Sequence, residues 1–183
     1  MPFDLIMKRL LLSLFATAAI ACTGHPEERG IDSTLAAMPV DTPAHTAEID
    51  TLTRTDSLLM FAKTLKGIPY KYASTNPDVG FDCSGFITYV YNHFNIEVPR
   101  SSVGFTNEGS PIPLEEARPG DLILFTGTDN TIRIVGHMGI ITQTGDSIVF
   151  IHSTSGKANG VTETRLDDYY MGRFMKVIRY NDI

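Results

Sequence analysis

Two neighbouring runs constrain the fold more than any other part of this chain: GHMGIITQ (136–143) and DSIVFIHS (146–153), separated by Thr144-Gly145. Apolar and β-branched residues on both sides of a glycine-containing turn signal read as a β-hairpin. A two-residue turn pairs Gln143 with Asp146 and carries one register down the ladder, which sets His137 opposite His152. Directly opposed residues share a face of the sheet, with β-carbons about 5 Å apart. The hairpin therefore predicts two imidazoles side by side. GDLILFT (120–126), behind the turn signal Arg118-Pro119-Gly120, and FMKVIRY (174–180) read as further strands.

Two helices precede these strands. Leu58, Phe61, Ala62 and Leu65 recur at helical spacing after a polar start at Thr55 or Asp56, and Gly67 with Pro69 ends the run. A second helix is expected over residues 83–94, burying Phe86, Val90 and Phe94, or Ile87 and Tyr91, against the sheet. VPRSS and GSPIP then break the pattern. Helices first and antiparallel strands afterwards give an α+β fold.

The N-terminal residues read as an address. From Met7 the chain runs MKRLLLSLFATAAIAC: two basic residues, an apolar stretch from Leu10 to Ala21, then Cys22. That stretch is shorter than the roughly 20 apolar residues needed to span a bilayer, and its layout is that of a secretion signal. Its end, AIAC, resembles the lipobox of bacterial lipoproteins, with Ala19 where leucine is most frequent. This resemblance implies a signal peptide over 1–22 and lipidation of Cys22; an ordinary cleaved signal is the alternative. Residues 23–54 carry six acidic and two basic side chains and show no sustained apolar period. Such a segment buries too little apolar surface to offset the entropy of ordering, and is expected to be a flexible tether.

The domain is expected over 55–183, a suitable length for one hydrophobic core. It has 14 acidic and 11 basic residues and no basic stripe, which argues against a nucleic-acid partner. With Cys22 committed to lipid, Cys83 is left unpaired in an oxidising compartment, and such a thiol reads as reactive. It lies in FDCSGF (81–86), at the first turn of its helix, with Asp82 as N-cap. Unpaired N–H groups and the positive end of the helix dipole are expected there to favour the thiolate. If the helix packs across the histidine face, one imidazole exchanges a proton with the sulfur and the second orients the first. Two other readings of the same residues are a small buried side chain and a three-ligand zinc set.

FDCSGF, then PGDLILF, GHMGII and FIHS in this order and spacing resemble the NlpC-type cell-wall cysteine peptidases. The resemblance spans about residues 67–180. It implies a papain-like fold with N-terminal helices packed on a central antiparallel sheet. It also implies Cys83 as nucleophile, His137 as general base and acid, and His152 as the residue orienting His137. The family element Y-x-x-G-G matches YKYAS, which assigns Tyr70 to the oxyanion, with Tyr72 as the substitute. This chain departs from the element with Ala73-Ser74 in place of the two glycines. Asp82 and Ser84 match positions that contact the substrate's free amine in relatives.

The implied reaction is hydrolysis, through a thioester, of the amide between γ-D-glutamate and a diamino acid in peptidoglycan stem peptides. No metal or other cofactor is expected. A monomer is expected, lipid-anchored at a membrane of the bacterial cell envelope, with stem peptides or muropeptides as partners. A catalytically inactive wall-binding protein, or a papain-like amidase or acyltransferase on a non-murein substrate, are the competing functions.

Overall fold

The computed structural model describes residues 52–180. The signal peptide, Cys22 and the tether as far as residue 51 lie outside the described residues. Helix α1 (Arg54–Thr64) begins where the Thr53 hydroxyl accepts the Asp56 N–H at 3.1 Å and the Asp56 carboxylate accepts the Thr53 N–H at 3.0 Å. This reciprocal capping box stabilises a helix start by about 1 kcal/mol. The start therefore lies earlier than the Thr55 or Asp56 expected from the sequence, and the folded domain takes in the last residues assigned to the tether. Leu58, Leu59 and Ala62 are buried, and Gly67 leaves the helix at φ +88°.

A short hairpin follows, β1 (Thr75–Asn76) with β2 (Gly80–Phe81), and runs directly into α2 (Cys83–His93). Phe86, Ile87, Val90 and Tyr91 are all fully buried. The two faces offered as alternatives are thus both used, because α2 lies between α1 and the sheet. Burying each of these side chains contributes about 1.5–3 kcal/mol. Gly85 is required by close approach: a β-carbon there would stand 2.0 Å from the Ser74 carbonyl oxygen.

The rest is a six-stranded antiparallel sheet. Its strands are β3 (Ser110–Ile112), β4 (Leu122–Thr126), β5 (Val135–Gln143), β6 (Val149–Thr154), β7 (Gly160–Arg165) and β8 (Phe174–Arg179), with a short α3 (Asp168–Met171) before the last. The spatial order is β3-β8-β4-β5-β6-β7. GSPIP, expected only to break structure, supplies β3. Pro111 is tolerated because β3 is an edge strand that pairs with β8 alone. β7 was not expected: GVTETR has little apolar content, and its pairing with β6 forms the opposite edge.

Both faces of the sheet are covered. Leu122, Leu124, Met138, Ile140, Ile151 and Ile178 pack with α1 and α2. Ile123, Phe125, Ile141, Phe150 and Val177 form the second layer with Ala117 and Tyr170.

The hairpin register differs from the expected one. The β5–β6 connection runs from Thr144 to Ile148, and Ile140 pairs with Ile151 where the two-residue turn would have given Val149. Ile148 is drawn away to pack in the second layer, and its carbonyl accepts the Leu166 N–H at 2.8 Å. The shift is two residues, so facing is preserved. His152 comes level with Gly139, and His137 is its diagonal neighbour on the same face.

Candidate active site

Cys83 opens α2. Asp82 caps the helix, its carboxylate accepting the Gly85 N–H at 2.6 Å, and this fixes the direction in which the thiol projects. Asp82 is itself gripped by Arg100, whose two terminal nitrogens donate to its two oxygens at 3.0 and 2.8 Å. Arg100 also donates to the Ser84 hydroxyl at 3.2 Å. Bidentate pairs of this kind are geometrically specific. Asp82 and Ser84 flank the thiol within a network completed by Arg100, which lies in the VPRSS segment that breaks the helical pattern. No spacing or turn signal in VPRSS marks it.

Cys83 lies in a cleft of about 450 Å³ with Tyr70, Tyr72, Asp82, Ser84 and Arg100. Tyr70 is half-buried and Tyr72 is 82 % exposed. Burial, and then the charges of Cys83 and Asp82, raise the Tyr70 hydroxyl above its ordinary pKa, so it stands within electrostatic reach of the thiol. Ala73, at the first of the two positions where the resemblance has glycine, adopts φ +57°, a left-handed backbone more usual for glycine. Tyr70, the less exposed of the two and the one coupled to Cys83, is favoured over Tyr72 as the hydroxyl facing the thiol.

The histidines approach from the other layer. Their ring neighbours are Phe125, Phe150 and Tyr170, whereas α2 packs on the opposite face of the sheet. The condition that α2 pack across the histidine face is therefore not met. The thiol meets β5 instead at a bulge next to His137. Phe125 pairs with His137 but Thr126 with Val135, which leaves Gly136 as an extra residue. Bulges bend strands and re-aim side chains. Here the bulge presents the Gly136 carbonyl to the thiol, which donates to it at 3.8 Å. The thiol's hydrogen bond goes to this carbonyl, next to His137, and not to the imidazole.

His137 Nε2 and His152 Nδ1 are 2.8 Å apart, and His152 Nε2 is 2.8 Å from the Thr164 hydroxyl. Gly139 makes this contact possible, since a β-carbon there would meet the Phe150 ring at 2.7 Å and the His152 β-carbon at 3.2 Å. A consistent proton assignment has His137 Nε2–H donating to His152 Nδ1, and His152 Nε2–H donating to Thr164. That assignment leaves His137 Nδ1 as an acceptor. Thr164 was not identified from the sequence because β7 itself was not.

Electrostatics favour a neutral resting pair. Burial, followed by the Asp82 charge, pushes the Cys83 thiol up to about 11; the N–H groups of Ser84 and Cys83 and the Arg100 charge pull it back. Burial, His152 and Arg173 hold His137 well below the usual imidazole range, and burial with Arg173 lowers His152 to about 4. The expected thiolate at the helix start is thus corrected. The helix N–H groups act in the expected direction, but burial outweighs them. Among the described residues no group of three or more His, Cys, Asp or Glu side chains is placed to hold a metal.

The NlpC/P60 family matches residues 67–179. Gamma-DL-glutamyl hydrolase of Bacillus subtilis is 31 % identical over 138 residues, which are 75 % of this chain and 32 % of that protein. Gamma-D-glutamyl-L-lysine dipeptidyl-peptidase of Bacillus cereus is 39 % identical over 70 residues, 38 % of this chain and 21 % of that one. The crystal structure of an NlpC/P60 family protein from Bacillus cereus superposes with a TM-score of 0.62 at 30 % identity, covering 71 % of this chain and 41 % of that one. This chain therefore spans about a third or less of these curated relatives, which are named hydrolases and peptidases. A cysteine at a capped helix start, a histidine pair on the facing sheet and a family match over most of the described residues agree: the chain belongs to the NlpC/P60 family.

Proposed function

We propose that this domain is a cysteine endopeptidase of peptidoglycan, hydrolysing the amide between γ-D-glutamate and a diamino acid of the stem peptide. The observation that carries this reading is the thiol of Cys83 seated on the bulge carbonyl beside His137, with His137 tied through His152 to Thr164. Both named relatives carry a γ-glutamyl bond in their names, which supports the acyl half of the assignment.

In this mechanism His137 Nδ1 takes the thiol proton as the sulfur attacks the γ-carbonyl carbon. The C–S bond forms and the carbonyl electrons move onto oxygen. Tyr70 and the N–H groups at the start of α2 donate to that oxyanion, and one such donor contributes about 3 kcal/mol to a transition state. Collapse expels the amine, which takes the proton from His137 and leaves a thioester on Cys83. Water, deprotonated by His137, attacks the thioester and releases the γ-carboxylic acid and the free thiol. His152 and Thr164 hold the imidazole in the productive tautomer. The neutral resting pair makes the first proton transfer part of the attack. Asp82 and Ser84 receive the free amine of the acyl fragment. In the full chain, lipid on Cys22 anchors the domain in the cell envelope as a monomer and residues 23–51 give it reach.

Digestion of the peptide L-alanyl-γ-D-glutamyl-diaminopimelate by the purified protein, with products identified by mass, tests the assignment. Release of L-alanyl-D-glutamate and free diamino acid is expected. Cleavage of the alanyl–glutamate amide instead, or no cleavage of the peptide, sinks it.

A further inference from the structure

A second cavity, of about 680 Å³, is lined by His137 and shares no lining residue with the thiol cleft. Consecutive residues of β5 line the two cavities, Gly136 the first and His137 the second. Their chemistry differs. The wall of the second is built from threonine and serine hydroxyls, two tyrosines, Lys157 and Arg173, and no carboxylate lines it.

Arg173 is 7 % exposed. Its guanidinium donates to the carbonyls of Gly127 and Thr126, both at 2.9 Å, and to the Tyr169 hydroxyl at 2.8 Å. It also lies 5.1 Å from the Tyr169 ring centroid and 5.7 Å from that of Tyr170. Every one of these partners is neutral, and no ion pair among the described residues includes Arg173. A buried charge matched only by neutral acceptors keeps an uncompensated field, and such a site favours an incoming anion. Lys157 borders the same cavity from the exposed loop after β6, and among the described residues its ammonium has no ion-pair partner.

The reaction fixes which half of the substrate lies here. The departing nitrogen takes its proton from His137, so the fragment it carries must occupy the His137 side, while the acyl fragment lies toward Asp82. We propose that this cavity is the leaving-group subsite and that it recognises a carboxylate on the departing diamino fragment, Lys157 making the contact and Arg173 supplying a fixed positive field. This rests on the hydrolase reading above. The same field lowers both histidines, which keeps His137 neutral and able to accept the thiol proton.

Two carboxylates are available on such a fragment: the one on the diaminopimelate side chain, which lysine lacks, and the C-terminal one, which a carboxamide removes. Four peptides, L-alanyl-γ-D-glutamyl-diaminopimelate and its lysine analogue, each as acid and as amide, separate them. The wild-type protein is expected to prefer carboxylate-bearing leaving groups by about tenfold in kcat/KM. The lysine acid and the diaminopimelate amide identify which carboxylate is read. Lys157→Ala should flatten the preference and Lys157→Glu should reverse it. Because Lys157 is exposed, both variants are expected to fold. Equal kcat/KM for all four peptides, or an unchanged preference in Lys157→Glu, overturns the subsite while leaving the hydrolase reading intact. Cleavage of none of the four overturns both.

Discussion

Asp82 and Asp121 are each buried, each stand at the start of a regular element, and are each held by both oxygens in an arginine fork. Arg179 donates to Asp121 at 2.7 and 2.8 Å, and Asp121 also accepts the Arg118 N–H at 2.8 Å, closing the turn into β4. Arg100 holds Asp82 at 3.0 and 2.8 Å, and Asp82 accepts the Gly85 N–H at the start of α2. The difference lies in what is next to them. Asp121 and Arg179 tie a turn to the last strand. Asp82 abuts a thiol, raises its pKa and faces a cleft. An aspartate–arginine pair therefore does not mark a site by itself; its neighbour in the chain does.

Exchanging the charge of each aspartate sharpens this contrast most. Asp82→Asn keeps a competent N-cap but removes the carboxylate assigned to the substrate's amine. A charged hydrogen bond of that kind contributes about 1.5–3 kcal/mol, so kcat/KM on stem peptide should fall tenfold to about a hundredfold. Alkylation of Cys83 by iodoacetamide at pH 7 should move the other way and accelerate, because the charge that raises the thiol pKa is gone. In the wild type, with the thiol near 11, thiolate is the minor form throughout neutral pH. The alkylation rate should keep rising with pH beyond 9. A plateau below pH 7 would show a thiolate at rest. The lowered pKa of His137 has the opposite sense: its neutral form persists below pH 6.5, so kcat/KM should show no acid limb at the ordinary imidazole value.

Asp121→Asn should give the complementary result. Removing one partner of a buried pair costs several kcal/mol, and about 2 kcal/mol is expected here because the Arg179 side chain is 29 % exposed. Urea denaturation reads this loss, while the folded fraction should retain its kcat/KM. Equal losses of activity in the two variants would dissolve the contrast.

Thr164→Val extends the comparison to the histidine arm. It leaves one ring nitrogen of buried His152 without its acceptor, and kcat should fall by about tenfold with KM little changed. Thr164→Ser should restore it; failure of serine to rescue would assign Thr164 a packing role only. The smallest effect is expected on the loop below Tyr70. Ala73→Gly relieves a left-handed φ at a non-glycine residue and should gain up to about 1 kcal/mol in urea denaturation. A loss there would contradict the backbone assigned to YKYAS.

Much of this arrangement is legible in the residues. FDCSGF carries its own N-cap, and apolar, β-branched runs beside turn signals establish the antiparallel sheet. The parity of the hairpin puts both histidines on one face even though its register is displaced by two. What was not legible depends on partners distant in the chain. Ile148 leaves the ladder because a pocket beside Ala117 and Leu166 receives it. Arg100 is informative only once Asp82 is in front of it. β7 has no apolar alternation to betray it, and Thr164 is hidden with it. The sheet bulge at Gly136, which presents its carbonyl to the sulfur beside His137, arises from how β5 pairs with β4 and leaves no trace in local propensity.

The most direct test is cleavage of L-alanyl-γ-D-glutamyl-diaminopimelate by wild-type protein and by Cys83→Ala at matched concentrations. The variant should fold, bind the peptide and release no product, because the thioester cannot form without the sulfur. Product release by the variant at a rate comparable to wild type would contradict the assignment of Cys83 as the nucleophile.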